Sequence, residues 1–280
     1  MKICIRAHDL SGKGIENILS EISRLGIDGV QMVCYKAYED IAYAPGSITA
    51  QRAAAIGQAF ADAGKVIPLV GAYFNPVHSD RAKAERCFDI FHDYLKVTHA
   101  MGCGVVGSET GSYNDDNWTF HPQNRTEQAI QAVAATFSQL CDLGQDYGAV
   151  VAMEGAAGHV CWSVEALDRA QKIMNRKNTR VIFDLFNYLE KANQGDYLRI
   201  LDQGLDTFGD RILLFHMKDC RFTNDGGPVQ VPYGTSEMDH ETILGKKKAH
   251  DPNAVLTLEE TVGSDIPFAV KTIKEIWERV

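Results

Sequence analysis

Short, nearly continuous apolar runs recur along the chain at Lys2 to Ala7, Val30 to Cys34, Val66 to Ala72, Gly104 to Gly107, Ala149 to Met153, Arg180 to Phe183, Ile212 to Phe215 and Ala254 to Leu258. Runs this short that do not alternate with polar residues predict strands of a parallel sheet, buried on both faces. Between them the apolar positions change to helical spacing. Ile15, Ile18, Leu19 and Ile22 share one face, as do Ala53, Ile56 and Phe60, then Phe88, Phe91, Leu95 and His99, then Ile130, Val133, Phe137 and Leu140. Leu167, Ala170 and Ile173, then Leu198, Leu201 and Leu205, then Val270, Ile273 and Ile276 continue the pattern,. Met and Phe on these faces read as core filling rather than as a cofactor contact.

The punctuation agrees with that pattern. Gly26, Gly64, Gly102 and Gly148 each stand where a left-handed C-cap would turn a helix back into a strand,. Asn124 with Glu127 is expected to form a capping box at the head of the fourth long helix. Strand and helix alternating eight times is the ordering of a closed (β/α)8 TIM barrel of the α/β class, whereas doubly wound sheets commonly stop at about five to seven strands. No linker or low-complexity tract divides the chain, so residues 1–280 are read as one domain. The basic run Gly245 to Lys248 is read as a solvated helix end.

Composition narrows the function classes. A 280-residue chain with 45% hydrophobic residues can bury a large core, and its formal net charge of −9 disfavours a nucleic-acid partner,. A small-molecule partner fits better, and homo-oligomerisation stays open. Seven cysteines without a CxxC pair read as reduced, mostly buried thiols,. No stretch of about 18 apolar residues is present and the first residues carry no signal-like run, so no membrane partner and a cytoplasmic location are expected.

In such a barrel the polar residue closing each strand is the informative one, because the βα loops build the site at that rim. Strand five closes on Glu154, strand six on Asp184, strand seven on His216 and strand eight on Glu259. Each alone reads more readily as a helix cap or a hydrogen-bonded core residue. Together, three carboxylates at one rim repel one another unless a cation or protons neutralise them. One divalent ion bound by all four groups satisfies them, and a shell of three carboxylates and one imidazole points to Mn²⁺ first, with Mg²⁺, Co²⁺ or Zn²⁺ open. Glu259 and Glu260 are adjacent and must point to opposite sides. Glu259, the first acid after the run, is taken as the ligand, and Glu260 is the fallback.

These four positions, with His216-Met217-Lys218-Asp219, resemble the xylose isomerase-like barrel superfamily of sugar isomerases and epimerases, which also contains endonuclease IV. The resemblance spans essentially the whole chain. It implies a divalent-metal-dependent sugar or polyol isomerase or epimerase, moving a proton next to a carbonyl through a metal-stabilised enediolate. In that family's ketose 3-epimerases the glutamates closing strands five and eight are both ligands and the acid/base pair, roles that fall on Glu154 and Glu259. Substrate contacts are expected from Asn187, Lys218, Arg221, His8 and Glu109. Lys218 reads alternatively as a structural partner of Asp219, and Arg221 as a solvated surface residue.

Two departures separate this sequence from the 3-epimerases. Their Asp-x-x-His appears here as Asp184-Leu185-Phe186-Asn187, and their second glutamate after strand five is absent from Gly155 to Ser163. Dehydration of a keto-polyol on the same shell is an alternative outcome. Endonuclease IV-like cleavage of abasic DNA and a non-catalytic sugar-binding barrel rank below it. Tyr73, His78, Trp118, His121 and His159 are further rim residues that could pack on or bind a sugar.

Overall fold

The computed structural model describes all 280 residues. Eight parallel strands close into a barrel in the order β1-β10-β7-β6-β5-β4-β3-β2. The barrel strands are β1 (Lys2–Arg6), β2 (Gly29–Met32), β3 (Val66–Gly71), β4 (Val105–Glu109), β5 (Val150–Glu154), β6 (Thr179–Asp184), β7 (Ile212–Met217) and β10 (Val255–Leu258). Each lies within two residues of its expected position at either end. Two further strands, β8 (Asp219–Arg221) and β9 (Val229–Val231), form an antiparallel hairpin after β7 that the apolar pattern does not announce.

Outside the barrel run α1 (Ile15–Leu25), α2 (Cys34–Ala37), α3 (Ala50–Asp62), α4 (Arg81–Val97), α5 (Glu127–Asp146), α6 (Val164–Met174), α7 (Tyr197–Phe208), α8 (His240–His250) and α9 (Asp265–Arg279). Gly26, Gly64, Gly102 and Gly148 all have positive φ, as expected of glycines that reverse the chain,. No helix is long and apolar enough to cross a membrane. All seven cysteines are free, six of them buried.

Three local expectations are corrected. The residue capping α5 is Thr126, whose hydroxyl accepts from the Ala129 N–H. Asn124 lies buried one turn earlier, donating to Ser112 Oγ and to the Gly158 carbonyl and accepting from the Tyr113 N–H. Ile173 is 37% exposed rather than on the packed face. The basic run is no solvated end: it lies within α8, and Lys247 is buried, with Nζ 3.2 Å from Met217 Sδ and 4.9 Å from the Phe215 ring centroid.

Inside the barrel, Leu69, Ala152, Ile182 and Leu214 form a small apolar layer of their own. Side chains alternate along a strand, so the residues two places further on point inward as well. From Ala152, Ile182 and Leu214 that step leads to Glu154, Asp184 and His216. The polar layer therefore rests directly on the apolar one, at the C-terminal rim.

Candidate metal centre

Glu154, Asp184, His216 and Glu259 meet, each buried, with one ligand atom from each residue all within 4.8 Å of one another. Strand register aligns part of the group, because Asp184 pairs with His216 and Thr257 also pairs with His216, which puts Glu259 one step beyond. Glu260 is excluded from the cluster by backbone geometry: it is exposed at φ 52°, and its N–H donates to Asp9 Oδ2. Glu259 is the acid that faces inward.

The imidazole of His216 is held from both sides. Its Nε2 lies 2.7 Å from Gln31 Oε1, and Gln31 Nε2 donates to Tyr73 Oη at 2.7 Å. Since the amide nitrogen is committed to Tyr73, the amide oxygen accepts and His216 Nε2 carries a proton. Nδ1 then faces the carboxylates, 3.0 Å from Glu154 Oε1 and 2.8 Å from Glu259 Oε2. Burial opposes a charge on this ring, but the Glu154 and Glu259 carboxylates outweigh it and push its pKa up to about 10.

The two glutamates sit in different electrostatic settings. Burial pushes Glu154 up to about 7, with His216 pulling the other way. Burial acts on Glu259 too, yet Lys218, His216 and Arg6 together hold it well below the ordinary carboxylate range. Arg6 donates to Glu259 Oε1 at 2.6 Å and is itself braced by Asp9.

Lys218 pairs with the shell rather than with Asp219. Its Nζ lies 3.1 Å from Asp184 Oδ2 and 3.3 Å from Glu259 Oε2, and donates to Asn187 Oδ1 at 3.0 Å. Burial works against its charge, but Asp184 and Glu259 keep it protonated. Asp219 instead accepts from the Gly234, Thr235 and Ser236 N–H groups and fastens the segment after β9. Asn187 completes the cluster, donating to Glu154 Oε1 at 2.8 Å.

The remaining expected residues spread out along the rim. His8 follows β1, half-buried with Nδ1 unpartnered, and burial together with Arg6 and Lys36 lowers its pKa to about 4. Glu109 is the strand-register partner of Glu154, and its Oε1 lies 4.0 Å from His159 Nδ1. Arg221 stands apart, exposed on the hairpin strand β8. His121 accepts from the Gln123 N–H and so caps a local turn. Sequence reasoning missed Gln31 and Arg6, which orient His216 and Glu259. Their only signals are one amide inside the apolar run of β2 and one cation at the end of β1.

Whether a divalent ion fits can be judged from the donors. Asp184 Oδ2 and Glu259 Oε2 are buried without an aligned hydrogen bond, although Lys218 Nζ lies close to both and His216 Nδ1 lies 2.8 Å from the second. Three carboxylates and an imidazole with its far nitrogen hydrogen-bonded make a donor set that suits a hard divalent cation. This buried cluster could bind a metal.

Solved structures share the architecture. A D-tagatose 3-epimerase-like protein superposes with TM-score 0.77 at 16% identity, covering 100% of this chain and 98% of its own. An IOLI protein with a bound zinc atom gives TM-score 0.73 at 16% identity, covering 100% and 99%. The 3-keto-D-glucoside 4-epimerase YcjR from E. coli gives 0.72 at 13% identity, covering 98% and 99%. No curated protein matches the chain in sequence. The family model described as xylose isomerase-like TIM barrel matches residues 19–275. With that match across the closed eight-stranded barrel, the chain belongs to the xylose isomerase-like TIM barrel family.

Proposed function

We propose that this protein is a divalent-metal-dependent isomerase or epimerase of a sugar or sugar-like polyol, with Glu154 and Glu259 as its proton-transfer pair. The observation that carries the reading is the convergence of Glu154, Asp184, His216 and Glu259 in one buried cluster. The names of its structural neighbours, which include 3-epimerase-like and 4-epimerase proteins, support the reaction class. An ion held by these four residues, Mn²⁺ in our reading, would polarise a substrate carbonyl and its neighbouring hydroxyl, acidifying the C–H between them.

The protein's own groups supply the rest. Glu154 is fixed through Oε1 by His216 and Asn187, and Glu259 through Oε1 by Arg6 with its Oε2 beside His216 and Lys218, so both carboxylates are held in a set orientation. One removes the proton from carbon and the other returns it. Lys218, held charged beside them, stabilises negative charge developing on substrate oxygen. Asn187 holds Glu154 and Lys218 in register, and it takes no part in proton transfer because a carboxamide is neither acid nor base near neutral pH,.

The test is proton NMR in D₂O with a panel of ketoses and aldoses and Mn²⁺-loaded protein. Deuterium should enter at the carbon next to the carbonyl, disappear on chelation and return with the metal. Glu154→Gln and Glu259→Gln should each lose at least about 100-fold in rate. Exchange that persists in stripped protein rejects the reading, and product that has lost water reassigns the outcome to dehydration.

A further inference from the structure

A cavity opens on the β2, β3 and β4 side of the rim, with Tyr73 between it and the four-residue cluster. It has a volume of about 240 Å³ and its walls include Tyr35, Tyr43, Tyr73 and Trp118, with Lys83 and Asp116 at the polar edge. A cavity of this size has room for several ordered waters or one small ligand ring,. Tyr35 and Tyr43 stand with ring centroids 4.6 Å apart.

Two chains of contact join this cavity to the cluster. Tyr73, one of its walls, accepts from Gln31, which in turn holds His216. Trp118, another wall, packs edge-on at 5.5 Å against His159, whose Nδ1 is buried without a hydrogen bond and faces Glu109, the strand neighbour of Glu154. His159 is only 5% exposed, so an unpartnered donor or acceptor is held between the cavity wall and the cluster.

The walls are also held firmly. Trp118 and Asp115 keep left-handed backbone conformations (φ 51° and 52°), which persist only where the surroundings enforce them,. Asn75 donates to the carbonyls of Ser112 and Asp115, and Asp115 accepts from the Ser79 backbone and hydroxyl, tying the loop after β4 to the loop after β3. Aromatic walls with a few fixed polar groups at the edge are the composition that ligand pockets use,.

Charge selects the ligand. Lys83, the one lysine or arginine of the lining, is already paired with Asp116, with Asp80 and Asp115 nearby, and Lys36 and Arg86 stand only behind the Tyr35 and Tyr43 walls, so the cavity presents no unpaired cation of its own to a phosphate. Aromatic faces with hydroxyl tips and an ion pair suit the C–H face and hydroxyls of an uncharged sugar. We infer that this cavity is a second substrate subsite, and that the substrate is an uncharged glycoside whose further ring packs against Tyr35, Tyr43 and Trp118 while the reacting sugar occupies the metal cluster. The inference rests on the proposed isomerase reading for the reacting half alone.

Calorimetry on Mn²⁺-loaded protein decides it, with D-fructose, D-fructose 6-phosphate and three glycosyl-fructoses (lactulose, maltulose and isomaltulose) as probes. At least one disaccharide should bind tenfold or more tighter than fructose, and the phosphate should bring no gain. In Trp118→Ala and Tyr35→Ala, the ratio of disaccharide to fructose affinity should fall toward one. Circular dichroism and melting establish that each variant is folded, and Trp118→Phe, which keeps an aromatic face, should retain most of the ratio. No disaccharide advantage, a preference for the phosphate, or a ratio unchanged in both alanine variants overturns the subsite. Deuterium exchange separates the two readings: tight disaccharide binding without exchange removes the isomerase and keeps the subsite, whereas exchange on fructose without disaccharide gain does the reverse.

Discussion

Gln31 and His216 lie 185 positions apart in the chain and meet across the barrel, with Gln31 Oε1 2.7 Å from His216 Nε2. The contact fixes which ring nitrogen faces the carboxylates. Partners that orient a ligating histidine typically account for 10- to 100-fold in metal affinity. Gln31→Leu is therefore expected to weaken Mn²⁺ binding by about that factor while the fold survives. Competition with a chromogenic chelator measures it, and an unchanged affinity would refute the role of Gln31.

Proton competition gives the metal site a pH dependence of definite sign. Without metal, His216 is held protonated up to about 10 and Glu154 up to about 7. Metal must displace those protons, so affinity should rise with pH through this range and binding should release protons. Calorimetry in buffers of different ionisation enthalpy counts them. Affinity that stays flat between about pH 6 and 8 would contradict the arrangement.

On the proposed reading, Lys218 opposes the ion and helps the substrate. Lys218→Met removes a positive charge within 3.1 to 3.3 Å of Asp184 and Glu259, so the metal-free protein should melt earlier and divalent affinity should rise,. Turnover should nevertheless fall by about 100-fold, the scale of losing one group that stabilises transition-state charge. Tighter metal with unimpaired turnover would remove Lys218 from the chemistry.

Lys247 bears on stability instead of catalysis. Burial lowers its pKa from 10.5 to about 8, against an opposing pull from Asp184. Between those values the unfolded chain holds the proton and the folded chain does not, so this residue's contribution to stability rises with pH from about 8 to 10.5,. Below about 8 the penalty is fully present, on the order of 3 kcal/mol. Lys247→Met should stabilise the protein near neutrality and lose that rise. Denaturant titrations at pH 7 and pH 10 test this, and a variant less stable than the parent at pH 7 would show that the ammonium group contributes favourably.

Much of this molecule is legible in its sequence because two simple periodicities write it. The strand runs and helical faces predict the barrel, and the acids and histidine closing β5, β6, β7 and β10 are the residues that converge. What escapes is whatever depends on one residue's direction. Lys246, Lys247 and Lys248 follow one another at about 100° intervals around a helix, so a run of like charge cannot reveal that only the middle one faces inward,. Gln31 interrupts an apolar run as a surface residue would, and its meaning appears only when a partner arrives from the far side of the barrel. Asp219 likewise reads as a salt-bridge partner of Lys218 until the backbone amides beyond β9 are seen to claim it.

The seam between β1 and β10 has a consequence for how the protein comes into being. Arg6 clasps Glu259, and Asp9 receives the amide of Glu260, so residues at and just beyond the end of the first barrel strand are anchored by residues synthesised 253 and 251 positions later. A nascent chain that stops short of Glu259 offers a metal three of its four ligands, with Arg6 lacking its acid. On the proposed reading, filling of the centre waits for β10, and a chain truncated before that strand lacks a complete ion trap.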